Sequence, residues 1–275
     1  MTKPDAHDLA WMRVDIAGTR NLRDLGGLTT PEGRRIRPGV LFRAEALVDL
    51  PVSPHYAVLR EDNAADLHRL GIRTVIDLRS ELESERKPSA WPRATGARAV
   101  QLPIAEGVEG TDTWIMEEIR LGRRLRFDDV DLAEYYCGIL DRRAAVFAAA
   151  VHEIVEPGSV PVLVHCAAGK DRTGLLLALV LECLGFSRDV VVQEYALTGA
   201  LVPDQAGAYA DQVLESGGNP ADFHSLFETP AWAMTMALEY GERTYGDAPT
   251  YLVEQGGLDP DDVTRLVDVL LEQPG

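Results

Sequence analysis

The run Pro161-Val162-Leu163-Val164-His165 follows a Pro157-Gly158 break, and nine residues separate it from the apolar stretch Leu175 to Leu184. A short, continuous aliphatic and β-branched run bounded by turn residues is a strand buried on both faces. A long apolar run just after it is a buried helix. A strand, a short polar loop and a buried helix in that order predict a central strand of an α/β sheet, with the loop at the strand's carboxyl end.

The rest of the chain has the matching alternation. Thr74-Val75-Ile76-Asp77-Leu78 is predicted as a second buried strand and residues 97–104 as another. Residues 21–27 and 37–44 form two short extended segments around the turn-rich Thr29 to Gly33. Helices are predicted over 62–70 (Asp62 as cap, Gly71 as stop), 112–126 and 131–155. The last hundred residues are helical. Residues 260–271 carry an Asp259 cap, Pro260 in the first turn, and one apolar face of Val263, Leu266, Val267, Leu270 and Leu271. Trp232, Met236 and Tyr240, four residues apart, are expected to pack into the core. Residues 1–275 contain no repeat and no linker, so a single domain with a largely parallel sheet flanked by helices is expected. Segment 199–230, rich in Gly, Pro and Asp, is the least regular stretch.

Charge narrows the partners. The chain has 44 acidic and 27 basic residues, a net charge of −17. Beyond Thr173 only Arg188, Arg243 and Arg265 stand against 17 acidic residues. That balance offers no footprint for nucleic acid or an anionic membrane. The start has no apolar signal region, and no run is long enough to span a bilayer, so a cytoplasmic protein is expected. Cys137, Cys166 and Cys183 are odd in number and lack metal-type spacing, so neither disulfide framework nor zinc is indicated.

A small anion is another matter. In His165-Cys166-Ala167-Ala168-Gly169-Lys170-Asp171-Arg172-Thr173-Gly174 a cysteine ends the strand and, after five intervening residues, an arginine opens the helix. Backbone N–H groups of such a loop converge, and the helix terminus adds positive character, which together trap phosphate. Ala167, Ala168, Gly169, Lys170, Asp171 and Arg172 are the expected phosphate-binding residues, with the Arg172 fork gripping two oxygens. The same positive environment favours the thiolate of Cys166, the nucleophilic form, poised for in-line attack on phosphorus. Thr173 is placed to donate to the sulfur, and His165 to fix the loop. Lys170 is expected in the loop's outer turn, either as a charge at the rim that steers a second phosphate or an acidic side chain, or paired with Asp171 or a carboxylate of segment 199–230 such as Asp204 or Asp211. No metal or other cofactor is called for, since Arg172 and the loop amides supply the positive charge. Gly169-Lys170 is not a Walker loop, which needs Gly at the Val164 position and Ser/Thr at the Asp171 position. Trp91-Pro92 is followed by Arg93, which cannot serve as an acid.

The loop has the signature of the cysteine-dependent protein tyrosine phosphatases. The chain more narrowly resembles the bacterial tyrosine/serine phosphatase family with an HCxxGKDRTG loop. Asn21-Leu22-Arg23-Asp24, Leu41-Phe42-Arg43-Ala44, Asp77-Leu78-Arg79-Ser80 and the Tyr245-Gly246 and Tyr251-Leu252 pairs extend the likeness along nearly the whole chain. The resemblance implies a phosphatase-type fold with a helical lid, placed at 199–230. It also implies turnover of phosphotyrosine and of phosphoserine, phosphothreonine or phosphoinositides, in phosphoproteins or small esters.

The leaving group needs a proton from a carboxylic acid. Asp171 is one candidate, and the family retains aspartate there. Glu106 and Asp112, after the strand at 97–104, are the others, although the family tends to carry aspartate where this chain has Ala105-Glu106. Asp24 and Asp77 are candidates to orient the loop or Arg172, or else form strand-end hydrogen bonds. Arg43 and Arg79 are candidates to support the phosphate or, the favoured reading, to pair with those aspartates. Arg120, Arg123, Arg124 and Arg126 fit a solvated helix face better than a polyanion site. Two rivals remain: a phosphate-binding module without turnover, and an arsenate-reductase-like enzyme. The second needs a partner thiol. Cys183 is the nearest in sequence, roughly 14 Å of helix rise away.

Overall fold

The computed structural model describes residues 6–49, 56–105, 118–119, 121–124, 126–202, 210 and 213–272. A five-stranded sheet runs in the order β1 (Arg23–Asp24), β2 (Leu41–Ala44), β7 (Val162–His165), β5 (Thr74–Asp77) and β6 (Arg98–Gln101). Only β1 is antiparallel to its neighbour, and β7 is the central strand. A small parallel pair, β3 (Leu47–Val48) and β4 (Ala57–Val58), lies outside it.

Alternation along the strands feeds two cores. Leu41, Ile76, Val162 and Val164 join one cluster with helices α4 (Asp129–Val155), α5 (Asp171–Cys183), α6 (Arg188–Leu201), α7 (Ala231–Tyr245) and α8 (Pro260–Leu270). Phe42, Val75 and Leu163 join the other, with α1 (Glu61–Arg69) and α3 (Trp91–Thr95). Helices on both faces explain why β7 reads as an unbroken apolar run. Short α2 (Glu81–Arg86) follows β5. Among the described residues no helix is long and apolar enough to cross a membrane.

Two local expectations need correction. Helix α1 starts at Glu61, one residue before the expected Asp62 cap; the Arg60 amide instead donates to Asn63 Oδ1 at 2.9 Å. On α7 the buried face is Ala233, Met234, Ala237 and Leu238, and Trp232 is 46% exposed. Met236 and Tyr240 are only partly buried. Both stripes have helical spacing, and the smaller side chains won because α7 packs closely on α4, with Gly241 meeting Leu140. The predicted helix 112–126 falls largely outside the described residues.

Helix α8 docks on α4 through a histidine. His152 reaches Asp262 Oδ2 at 2.8 Å with Nδ1 and Glu156 Oε1 at 3.1 Å with Nε2, while Asp262 is buried and also accepts from Arg265. The Asp262 hydrogen bond, then the Asp262 and Glu156 charges, hold the imidazole pKa above its usual 6.5. A raised folded pKa contributes stability that is full below the unfolded value and lost as pH rises through the folded one. With His152 half-exposed, the contribution is about 1 kcal/mol or less. Calorimetry is therefore expected to show Tm falling by about 2 °C as pH rises past that value. His152→Gln should flatten this slope, and an unchanged slope would show the clasp to be silent.

Candidate active site

Residues Cys166 to Lys170 bridge the end of β7 and the start of α5, and every carbonyl from Ala167 to Lys170 is turned toward the scaffold. Ala167 accepts from the Ala46 amide at 2.9 Å, Ala168 from Asn21 Nδ2 at 2.8 Å, and Gly169 from Asn21 Nδ2 at 3.1 Å and from Arg43. Lys170 accepts from the Gly174 amide at 2.8 Å. Among the described residues the amides of Ala167–Lys170 meet no backbone acceptor. With the carbonyls held, those N–H groups are the ones available to an anion. Cys166, just before them, is buried.

Two glycines make this packing possible. Gly169 has φ +66°, and a Cβ there would lie 2.2 Å from the Ala44 carbonyl oxygen. A Cβ at Gly174 would lie 2.9 Å from the Tyr195 ring. Both positions exclude a side chain without movement of backbone or ring.

Arg172 enters α5 fully buried, its fork held by a carboxylate absent from the sequence-based candidates. Nη1 donates to Glu83 Oε2 at 2.6 Å and Nη2 to Glu83 Oε1 at 3.0 Å, and Nη1 also reaches the Ile104 carbonyl at 3.3 Å. Glu83 is at the same time the capping partner of Ser80 at the start of α2: the Ser80 amide donates to Glu83 Oε2 at 2.8 Å. Burial pushes the Glu83 pKa up, but the Arg172 charge and hydrogen bonds outweigh it, so the carboxyl is held below its usual range. The pattern Ser-x-x-Glu at 80–83 was the available signal, and it reads simply as a helix cap.

Behind the loop lies a buried ionic triad. Glu194 of α6 accepts from Arg23 Nε at 2.7 Å and from Arg43 Nη1. Arg23 continues to Thr198 Oγ1 at 3.0 Å and to Asn21, while Arg43 turns back to the Gly169 carbonyl. Burial raises the Glu194 pKa, and the two arginines more than reverse that. Such a triad persists only when every member is paired. Arg43 thus supports the loop from behind, with Glu194 rather than an aspartate as its partner.

The aspartates divide. Asp24 accepts from the amides of Gly26 at 2.8 Å and Gly39 at 2.7 Å, so it staples the approach to β2 and does not reach the loop. Asp77 pairs with Arg79, as expected, and lies 3.6 Å from His165 Nε2. Burial lowers the His165 pKa, so the ring is neutral. Its Nδ1–H then donates to the Cys166 carbonyl at 3.0 Å, and Ser89 donates to Nε2 at 3.1 Å. Trp91 caps nothing acidic: its indole donates to the Glu45 carbonyl at 2.8 Å inside the core.

Asp171 Oδ1 accepts from Tyr136 Oη at 2.5 Å, and Tyr195 Oη lies 2.7 Å from Tyr136 Oη. Burial, then the Asp171 charge, pushes both phenols well above 10, so each keeps its proton. Thr173 Oγ1 is buried without a hydrogen-bond partner among the described residues, so the expected donation to the sulfur is not formed. Lys170 is 2% exposed and does not stand at the rim. Glu106, Asp112, Asp204 and Asp211 lie outside the described residues. Burial, then Glu182, pushes the Cys183 thiol up to about 12, which makes it a poor partner for redox chemistry. Among the described residues no three His, Cys, Asp or Glu side chains form a metal-binding group.

Comparison with known proteins agrees with this geometry. The model of the tyrosine phosphatase family matches residues 14–272. A Cupriavidus necator protein assigned as a tyrosine-protein phosphatase is 31% identical over 90% of this chain and 83% of its own. The triple specificity protein phosphatase PtpB of Mycobacterium tuberculosis is 30% identical over 72% of this chain and 74% of its own. The catalytic core of the S. cerevisiae phosphatase SIW14 aligns with 72% of this chain and 95% of its own at 16% identity, with a TM-score of 0.35. With its matched length and its phosphate-loop sequence, this chain belongs to the tyrosine phosphatase family.

Proposed function

We propose that this protein hydrolyses phosphate monoesters, phosphotyrosine foremost, through a phosphocysteine intermediate. The observation that carries this reading is the loop from Ala167 to Lys170, which follows Cys166 and whose carbonyls are all hydrogen-bonded while its amides meet no backbone acceptor among the described residues. The amides and the charge of Arg172, whose plane Glu83 sets, meet the phosphoryl oxygens, and positive charge gathers where the transition state develops negative charge. Cys166 Sγ attacks phosphorus as the ester P–O bond breaks, and the leaving oxygen takes a proton from Asp171. Water then attacks phosphorus, gives its proton to Asp171, and releases phosphate and the thiolate.

Tyr136 donates to Oδ1 of Asp171 and so fixes the orientation of the proposed acid. Asp171→Asn is expected to slow an alkyl phosphate by about 100-fold and p-nitrophenyl phosphate much less, because a good leaving group needs little protonation. Glu106→Gln is the paired variant. A larger leaving-group dependence in that variant would move the acid to Glu106.

Phosphoserine, phosphothreonine and phosphoinositides extend the proposed range, and a panel of these with phosphotyrosine peptides ranks them. Inhibition by vanadate and indifference to EDTA are expected. Binding of phosphate with no turnover of any ester would leave a phosphate-binding module. Three cysteines without a disulfide fit a reducing, cytoplasmic setting, and the acidic surface fits a protein that does not bind nucleic acid.

A further inference from the structure

An ammonium has three N–H donors and no acceptor. Lys170 Nζ spends one on the Leu226 carbonyl at 2.7 Å and one on the Glu228 carbonyl at 2.9 Å, and the third side faces Asp171 Oδ1 at 3.4 Å. The side chain is buried. A cation so placed has no donor left for a substrate phosphate. Pulling it out would strand two carbonyls and a carboxylate.

The two carbonyls belong to the turn His224–Phe227 and the residue after it. That turn is fastened elsewhere: Ser225 donates to Asp129 at the start of α4, and Thr229 donates to the Ala196 carbonyl of α6 at 3.1 Å. The same helix α6 carries Glu194, which holds Arg43, and Arg43 returns to the Gly169 carbonyl. The contacts close a ring: Gly169 and Lys170, the turn, α6, Glu194, Arg43, and Gly169 again.

Resting on the phosphatase reading, we propose that Lys170 is a positioning residue, and that its docking on the 224–228 turn locks the Gly169–Lys170 bend with its amides open to an anion. The turn is then a working part of the phosphate site although it touches no substrate. The motif's lysine acts on the protein, not on the phosphate.

Lys170→Met keeps the apolar stem and removes the donors. For p-nitrophenyl phosphate, kcat is expected to fall about 10- to 100-fold, the range for a misplaced catalytic group, with the larger loss in kcat and the smaller in KM. Inorganic phosphate should bind more weakly by calorimetry, and amides of 224–229 should exchange faster with deuterium. Lys170→Arg should recover part of each. Thr229→Val, which opens the ring away from the loop, should lower kcat several-fold and covers the case in which Lys170→Met does not fold. Unchanged kcat and unchanged exchange at 224–229, with KM raised only for doubly phosphorylated esters in a salt-sensitive way, would overturn the proposal and make Lys170 a substrate contact. Exchange and phosphate binding are read without turnover, so failure of the phosphatase reading itself would show separately as absent hydrolysis by the wild-type protein.

Discussion

Replacing Cys166 with serine is expected to remove more than 99% of turnover while inorganic phosphate still binds. The two halves of that result have separate origins. Binding rests on the loop amides and Arg172, and these are seated by hydrogen bonds with Asn21, Arg43, Ala46 and Glu83 that do not run through the Cys166 side chain. Turnover rests on the sulfur, because a serine hydroxyl ionises far less readily and gives a poor nucleophile without a base beside it. Steady-state rates with p-nitrophenyl phosphate and phosphate titration by calorimetry check both halves. Residual activity above about 1% would rule out covalent catalysis by this residue.

Arg172→Lys should cost about 1,000-fold in kcat/KM, near the upper end for loss of one charge-stabilising group in an active site. The guanidinium holds Glu83 with Nη1 and Nη2 and touches the Ile104 carbonyl, so its plane is set before substrate arrives. Lysine keeps the charge and loses both plane and fork. Glu83→Gln leaves Arg172 in place but unpaired in charge, and a loss of about 10- to 100-fold is expected. In the double variant the Glu83 substitution should add little, since it acts through the arginine. Full additivity would make Glu83 merely the Ser80 helix cap.

The strand–loop–helix frame of the proposed phosphate loop was legible because its candidate groups are contiguous: thiol, amides and arginine lie within seven residues between a strand and a helix that sequence periodicity identifies. What seats the loop was not. Glu83 and Glu194 are two of 44 acidic residues, and only the chain's path brings them to Arg172 and Arg43. Of the two readings open for Asp24 the structure shows the strand-end hydrogen bonds, since a carboxylate after a strand serves a turn as readily as a site. For Lys170 two readings were open, a steering charge at the rim and a partner of Asp171; it faces Asp171 Oδ1 at 3.4 Å and adds two carbonyl partners, which carry no sequence signature. Trp232 misled by size: the helix buried alanines and a methionine where close approach mattered more than area.

The bonds that seat the loop join distant parts of the chain: Arg43 to Gly169 spans 126 positions, Asn21 to Ala168 spans 147, and Arg23 to Glu194 spans 171. Contacts of such separation carry a large loop-closure entropy and form late in folding. The seated loop therefore does not exist in an isolated strand–loop–helix fragment, nor in a nascent chain that ends before α6. Recovery of activity on refolding should lag behind burial of Trp91, whose helix belongs to the other core. Catalytic competence in this protein is a property of the finished chain, and a cell synthesising it meets no half-made phosphatase.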